Sequence, residues 1–176
     1  MLTRSSAAGF TLTELLIAIM VFGVLMGIGV PSFYGMLRNA QARAAAEAVA
    51  NGLQRARAEA VSRNTKVYFT VTPDTAWTVD YVTKPVPSDP AIDSRAALEG
   101  SPNAQAVAIA SDASAATTVT FNQLGQVVAN ADASKSIAQV DFAIDGANRP
   151  LRVLVGAGGN TRVCDPLMTA PNPRAC

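Results

Sequence analysis

Hydrophobic positions are distributed very unevenly along the chain. From Leu15 to Val30 the sequence reads LLIAIMVFGVLMGIGV, and Phe10 and Leu12 extend this run on one side and Phe33 to Leu37 on the other. Between Arg4 and Arg38 the only charged side chain is Glu14. As a helix the run is long enough to cross a hydrocarbon layer of about 30 Å, and no comparable run follows it. From Leu37 to Arg63 the pattern becomes alanine-rich and amphipathic, with Ala45, Val49, Leu53, Ala56 and Ala60 on one stripe. Arg55, Glu59 and Arg63 stand at i,i+4 spacing. Pro31 lies between the two stretches, where a missing N–H kinks or ends a helix. The helix-favouring composition beyond it predicts one helix from Phe10 to about Arg63, bent at Pro31 and roughly 80 Å long.

After residue 66 the period changes from 3.6 to 2. Val67, Phe69 and Val71 alternate with Tyr68, Thr70 and Thr72; Pro73-Asp74-Thr75 reads as a turn; Trp77, Val79 and Tyr81 alternate with Thr78, Asp80 and Val82. This predicts a hairpin. Residues 84–103 contain Pro85, Pro87, Pro90 and Pro102 and read as a surface loop with a short polar segment. Further short strands are expected at 107–110, 117–121, 126–128, 139–144, 151–155 and 161–164, with a turn at 156–160. The fold class is therefore α+β, a long helix packed across an antiparallel sheet or sandwich.

Composition narrows the chemistry. The 176 residues include two cysteines and no histidine, with 14 Lys+Arg against 13 Asp+Glu. Histidine-based acid/base catalysis, histidine-containing zinc sites and four-cysteine clusters are excluded, and no cofactor is expected. Gly156-Ala157-Gly158-Gly159-Asn160-Thr161 is glycine-rich, as a phosphate loop is, but has neither the P-loop lysine nor a following helix. Asp141 and Asp145 flank a predicted strand and read as solvated carboxylates rather than a catalytic pair. The chain is read as a structural and interaction protein, not an enzyme.

Glu14 is the anomaly. A carboxylate near the start of an apolar helix costs on the order of 3 kcal/mol when unpaired in lipid. A cleaved signal peptide, with Arg4 as its cationic region and Gly27-Ile28-Gly29 as its small-residue site, and a plain single-span anchor both leave that charge without a purpose. Cutting the chain before Phe10 supplies a partner, because the new α-amino group stands four residues upstream of Glu14, one turn away on the same face.

The segment Gly9-Phe10-Thr11-Leu12-Thr13-Glu14-Leu15-Leu16 resembles the GFTLxELL cleavage signature of type IV pilins and pseudopilins. The resemblance implies that prepilin peptidase cuts after Gly9, that the Phe10 amine is N-methylated, and that Glu14 meets the amine of a neighbouring subunit during fibre assembly. Residues 1–9 are then a leader peptide, 10–37 the transmembrane and assembly half of the helix, and 38–176 the globular domain. Pilins resemble the chain also in having a proline at the place of Pro31. Gly23 and Gly27 form a GxxxG pair, with Gly29 following, either a close-packing face for another helix or a source of flexibility. Within the family, Trp77, the Phe121-Asn122-Gln123-Leu124-Gly125 turn and Arg162-Val163-Cys164 are similar to the GspH/FimT/FimU branch. The implied role is that of a minor pilin in a tip-priming complex, inserted in the inner membrane with its globular part in the periplasm and joined to other major and minor pilins through the helix. A GspH-like pseudopilin of a type II secretion system is the alternative within the fold.

Cys164 and Cys176 flank a proline-rich terminus and leave one pairing, a disulfide if the domain lies outside the cytoplasm and two free thiols otherwise. Charge is segregated: residues 38–66 carry +4, residues 67–146 carry −6 and residues 147–176 carry +3. Complementary surfaces of this kind suit subunit contacts. Some FimT-like pilins bind DNA through a C-terminal GRxR motif, and Gly159-Asn160-Thr161-Arg162 keeps its second arginine only. DNA capture is thus a third reading, with Arg162 and Arg174 its first residues and Arg149 and Arg152 extending the patch.

Overall fold

The computed structural model describes residues 9–97, 99 and 101–176; the predicted leader, apart from Gly9, lies outside them. One helix, α1 (Leu12–Ser62), carries the N-terminal third of the chain and continues through Pro31. It starts where Thr11, with extended backbone, accepts a hydrogen bond from the Glu14 N–H at 3.3 Å and so satisfies one of the unpaired donors of the first turn. It stops in a Schellman arrangement: Asn64 takes φ +51°, its N–H donates to Val61 O and that of Thr65 to Ala60 O. The expected i,i+4 ladder forms, with Glu59 bridging Arg55 at 3.0 Å and Arg63 at 2.5 Å.

Nine strands follow among the described residues. β1 (Val67–Val71) and β2 (Trp77–Tyr81) make the expected hairpin. They are joined by β3 (Asp93–Arg95), β5 (Thr118–Phe121) and β6 (Val127–Val128) in a sheet of order β3-β2-β1-β5-β6. The second sheet has the order β4-β7-β8-β9, from β4 (Gln105–Ile109), β7 (Gln139–Ala143), β8 (Leu151–Val155) and β9 (Thr161–Cys164). All pairings between these strands are antiparallel. β3 departs from expectation: the polar part of the proline-rich loop pairs with β2 and forms the sheet edge. With three residues and no apolar alternation it gives no strand signal of its own; β2 supplies the hydrogen bonds that straighten it.

α1 packs across both sheets, touching β1, β2 and β5 of the first and β7, β8 and β9 of the second. Its buried stripe, Ala45, Val49, Leu53, Ala56 and Ala60, faces Phe69, Val79, Val119 and Phe121 from one sheet and Val140, Phe142 and Val153 from the other, all in one core. Small residues on the helix let its backbone approach the sheets closely. Gly52 marks the tightest point, since a Cβ there would come within 2.7 Å of the Phe69 ring and 3.1 Å of Trp77.

The 121–125 turn and the glycine-rich 156–160 turn singled out in the sequence meet at the junction of the sheets. Gly125 (φ +73°) and Gly159 (φ +75°) are so close that a Cβ on Gly159 would lie 1.9 Å from the Gly125 carbonyl oxygen. That oxygen accepts a hydrogen bond from Arg57 Nε of α1 at 3.1 Å, and the Val127 N–H donates to Ala157 O. The 156–160 segment is a structural turn.

Candidate assembly helix and membrane-proximal groove

Before residue 38 the large apolar side chains of α1, among the described residues, are exposed. Phe10 is 85 % exposed, the large apolar side chains from Leu12 to Val30 are exposed, and so are Phe33, Tyr34, Met36 and Leu37, although Met36 also lines a groove of the globular part. A Cβ built on Gly23, Gly27, Gly29 or Gly35 would meet nothing within 4 Å. These glycines are therefore not required by the fold of the single chain. Pro31 has no N–H to give to the carbonyl of Gly27, so the glycine-rich stretch is also where the helix ladder is weakest. An apolar notch of about 370 Å³ opens on this half over Gly29, between Phe22, Met26 and Phe33. Glu14 sits in the first turn, where the helix dipole favours a negative charge, and it is exposed on the same bare rod.

The other predicted residues lie at the far end of the chain. Cys164 and Cys176 are joined, their Cα atoms 5.1 Å apart. Arg162 reinforces this closure: its Nη2 donates to Pro173 O at 3.0 Å and Ala175 O at 2.7 Å. The Asp165 N–H donates to Arg174 O at 2.7 Å, which holds the tail against the end of β9. Arg152 is also engaged. It faces Asp141 across the β7–β8 ladder and donates to both carboxylate oxygens, at 2.5 and 3.0 Å. Donating to the Asp141 carboxylate, the Arg152 guanidinium holds its proton more firmly than usual. Two sequence readings change here. Asp141 is a mid-strand partner, not a solvated strand-end carboxylate, and Arg152 extends no free cationic patch, because register places the two side chains opposite each other.

Arg149 and Arg174 are brought together on the wall of one groove of about 420 Å³, beside Arg43 of α1. The sequence reading missed the helix residues that build this place. Arg38 Nη1 donates to Asp145 O at 2.8 Å; Asn39 Nδ2 donates to Asn148 Oδ1 at 2.8 Å, and the Asn148 N–H returns a bond to Asn39 Oδ1 at 3.2 Å. The 145–149 loop is thereby pinned to the first turns of α1 beyond the apolar half. Partners more than a hundred residues apart leave no local trace in a sequence.

Similarity to known proteins gives the family. The family model described as Type II transport protein GspH matches residues 45–159. The chain belongs to the GspH family. A prokaryotic N-terminal methylation motif matches residues 4–30, over the predicted cleavage site and apolar helix. Among solved structures, the minor pseudopilin EpsH from the type 2 secretion system of Vibrio cholerae is 15 % identical, with TM-score 0.52 over 73 % of this chain and 99 % of that one, and shows a shared fold. The type IV minor pilin FimU of Pseudomonas aeruginosa matches in two crystal forms at 17 and 18 % identity, with TM-scores of 0.48 and 0.49 over 69 % of this chain and 90 and 86 % of those. No curated protein sequence matches the chain. This GspH-family chain is thus a minor pilin or pseudopilin with a methylation motif, a membrane-anchored subunit that assembles with others of its kind in a fibre.

Proposed function

We propose that the chain is a FimU-like minor pilin of a type IV pilus, cut by prepilin peptidase after Gly9, N-methylated on Phe10, and built into the tip-priming complex through residues 10–37. One observation carries this reading: a helix of 51 residues whose first half exposes its large apolar side chains and whose sole charge in that half is Glu14, one turn after the new terminus. In the inner membrane lipid covers that half. In a fibre neighbouring helices replace the lipid, and the close approach that Gly23, Gly27 and Gly29 permit supplies packing contacts. Glu14 meets the Phe10 amine of the adjacent subunit, which removes two charges from apolar surroundings at once. Residues 38–176 stand in the periplasm, where the Cys164–Cys176 bond is stable.

The decisive experiment is Glu14→Leu in the full chain, with membrane and sheared-fibre fractions immunoblotted. Insertion and processing are expected to persist while incorporation falls more than tenfold; normal incorporation would remove the pairing role. A second reading, a GspH-like pseudopilin of a type II secretion system, is favoured by the family description and by the fold shared with EpsH. Co-purification of the full chain with its membrane neighbours, identified by mass, separates the two: minor pilins support the first and secretion pseudopilins the second.

A further inference from the structure

The groove that gathers Arg43, Arg149 and Arg174 lies immediately after the bare half of α1, and its distance from the membrane follows from helix geometry. If Glu14 stays at the cytoplasmic face, about 20 residues at 1.5 Å each cross a hydrocarbon core of about 30 Å, so the helix emerges near Phe33 and Tyr34. Both are exposed aromatic residues of the kind that settle at a membrane interface. Arg38 then lies about 6 Å beyond the core and Arg43 about 13 Å beyond it, at and just above a headgroup layer about 5–8 Å deep. Helix side chains lean toward the N-terminus, here toward the bilayer, and a long arginine extends that lean.

Arg149 and Arg174 reach the same level from remote parts of the chain, Arg149 through the Asn39–Asn148 pair and Arg174 through the disulfide-closed tail. The groove they share is amphipathic. Met36, Leu151 and Val163 form apolar wall, continuous with the lipid-facing side of α1, and the arginines stand around it. Its anions are already committed: Glu47 pairs with Arg43 at 3.0 Å, and Asp165 is buried with Oδ1 accepting the Leu167 N–H at 2.9 Å. Among the described residues Arg149 and Arg174 have no ion-pair partner, and both are exposed.

We propose that this groove holds the headgroup of an anionic phospholipid from the leaflet into which α1 emerges, with the phosphodiester between Arg149 and Arg174 and the glycerol and first acyl carbons against Met36. The proposal rests on the reading that residues 38–176 lie across the membrane from the leader. Its consequence is a seat: the globular part is held against the bilayer in one orientation while the subunit waits, with the arginine side of the helix down. That the translocated side carries these cations agrees with the weak effect of charge on the passage of long domains.

The test uses the full-length chain extracted in mild detergent, offered equal phosphatidylglycerol and phosphatidylcholine, with retained lipid counted by native mass spectrometry. Each arginine near a charged headgroup corresponds to about fivefold in binding at low salt, so a preference for phosphatidylglycerol of tenfold or more is expected. It should fall toward parity in Arg149→Gln/Arg174→Gln, persist in Arg149→Lys/Arg174→Lys, and be untouched by Lys66→Gln at the other end of the helix. The lysine pair guards against a glutamine variant that fails to fold. Parity in the unaltered chain, or a preference that survives the glutamine pair, overturns the proposal, as does a groove that retards duplex DNA while showing no lipid preference. The readout needs no fibre, and Glu14→Leu should keep the preference, so the assembly reading and this one can fail separately.

Discussion

Residues 12–37 and 42–60 belong to one continuous helix, yet they meet opposite surroundings. The second stretch buries an alanine-rich stripe under two sheets, with Leu53 and Val49 fully enclosed. The first is more apolar and encloses nothing, its leucines, isoleucines and phenylalanines all exposed. Hydrophobicity alone thus does not say where a residue is buried within a chain. Small residues on α1 allow close approach to a sheet already present; large ones along its bare half call for a solvent or partner outside the chain, lipid at one stage and sister helices at another. Glycines follow the same division, with Gly52 pressed against two aromatic rings and Gly23 against nothing.

Three perturbations, in order of expected size, would break or sharpen this contrast. Leu53→Ala removes a fully buried side chain from between the sheets and should destabilise the globular half by roughly 2–5 kcal/mol. Leu25→Ala, on the exposed half, should leave its melting unchanged. Near-ultraviolet circular dichroism of the full chain in detergent follows both, and equal losses would mean that the bare half packs on its own domain. Next, Gly52→Ala gains about 1 kcal/mol of helix propensity but forces a methyl against the Phe69 ring, at a strain of roughly 1–3 kcal/mol. A net loss near 1 kcal/mol is expected in the same melt, while Gly23→Ala should alter fibre incorporation alone. A stabilising Gly52→Ala would show that the helix sits farther from the sheet than described.

Acid should loosen the globular half, and weakly. Hydrogen bonds from Lys135 and Ser114 hold the Asp112 carboxyl well below its ordinary pKa of 3.8; the Ser134 hydroxyl lowers that of Asp132, and the Thr72 hydroxyl that of Asp74. Carboxyls with depressed folded-state pKa values contribute stability that is complete above 3.8 and lost as pH falls through the folded values. With no histidine in the chain, melting should be flat from about pH 5 to 8 and decline below about pH 4. Asp112→Asn should lessen that decline. A transition near pH 6.5 would point to a titrating group that this account lacks.

Much of the architecture was legible because it rests on short-range periodicity. The i,i+4 spacing of Arg55, Glu59 and Arg63 announced a helix, and the alternation of Val67, Phe69 and Val71 announced a strand that pairs as expected with β2. The signature from Gly9 to Leu16 pointed to the same family as the methylation-motif match. β3 was hidden because its strand character belongs to its neighbour. The arginines were hidden for a related reason, since a guanidinium reads the same in sequence whether it faces water, a carboxylate or the carbonyls of its own tail.

The amino-acid order therefore determined the elements, the buried stripe and the one carboxylate at the head of an apolar rod, all of them properties of residues within a few turns or strands of one another. Tertiary structure alone decided that Arg152 is matched by Asp141, that Arg162 holds the tail, and that Arg149 and Arg174 share a groove with the helix just past its apolar half. Each of those outcomes depends on strand register or on a hydrogen bond between residues remote along the chain, and such distances are set only once the sheets have closed around the helix.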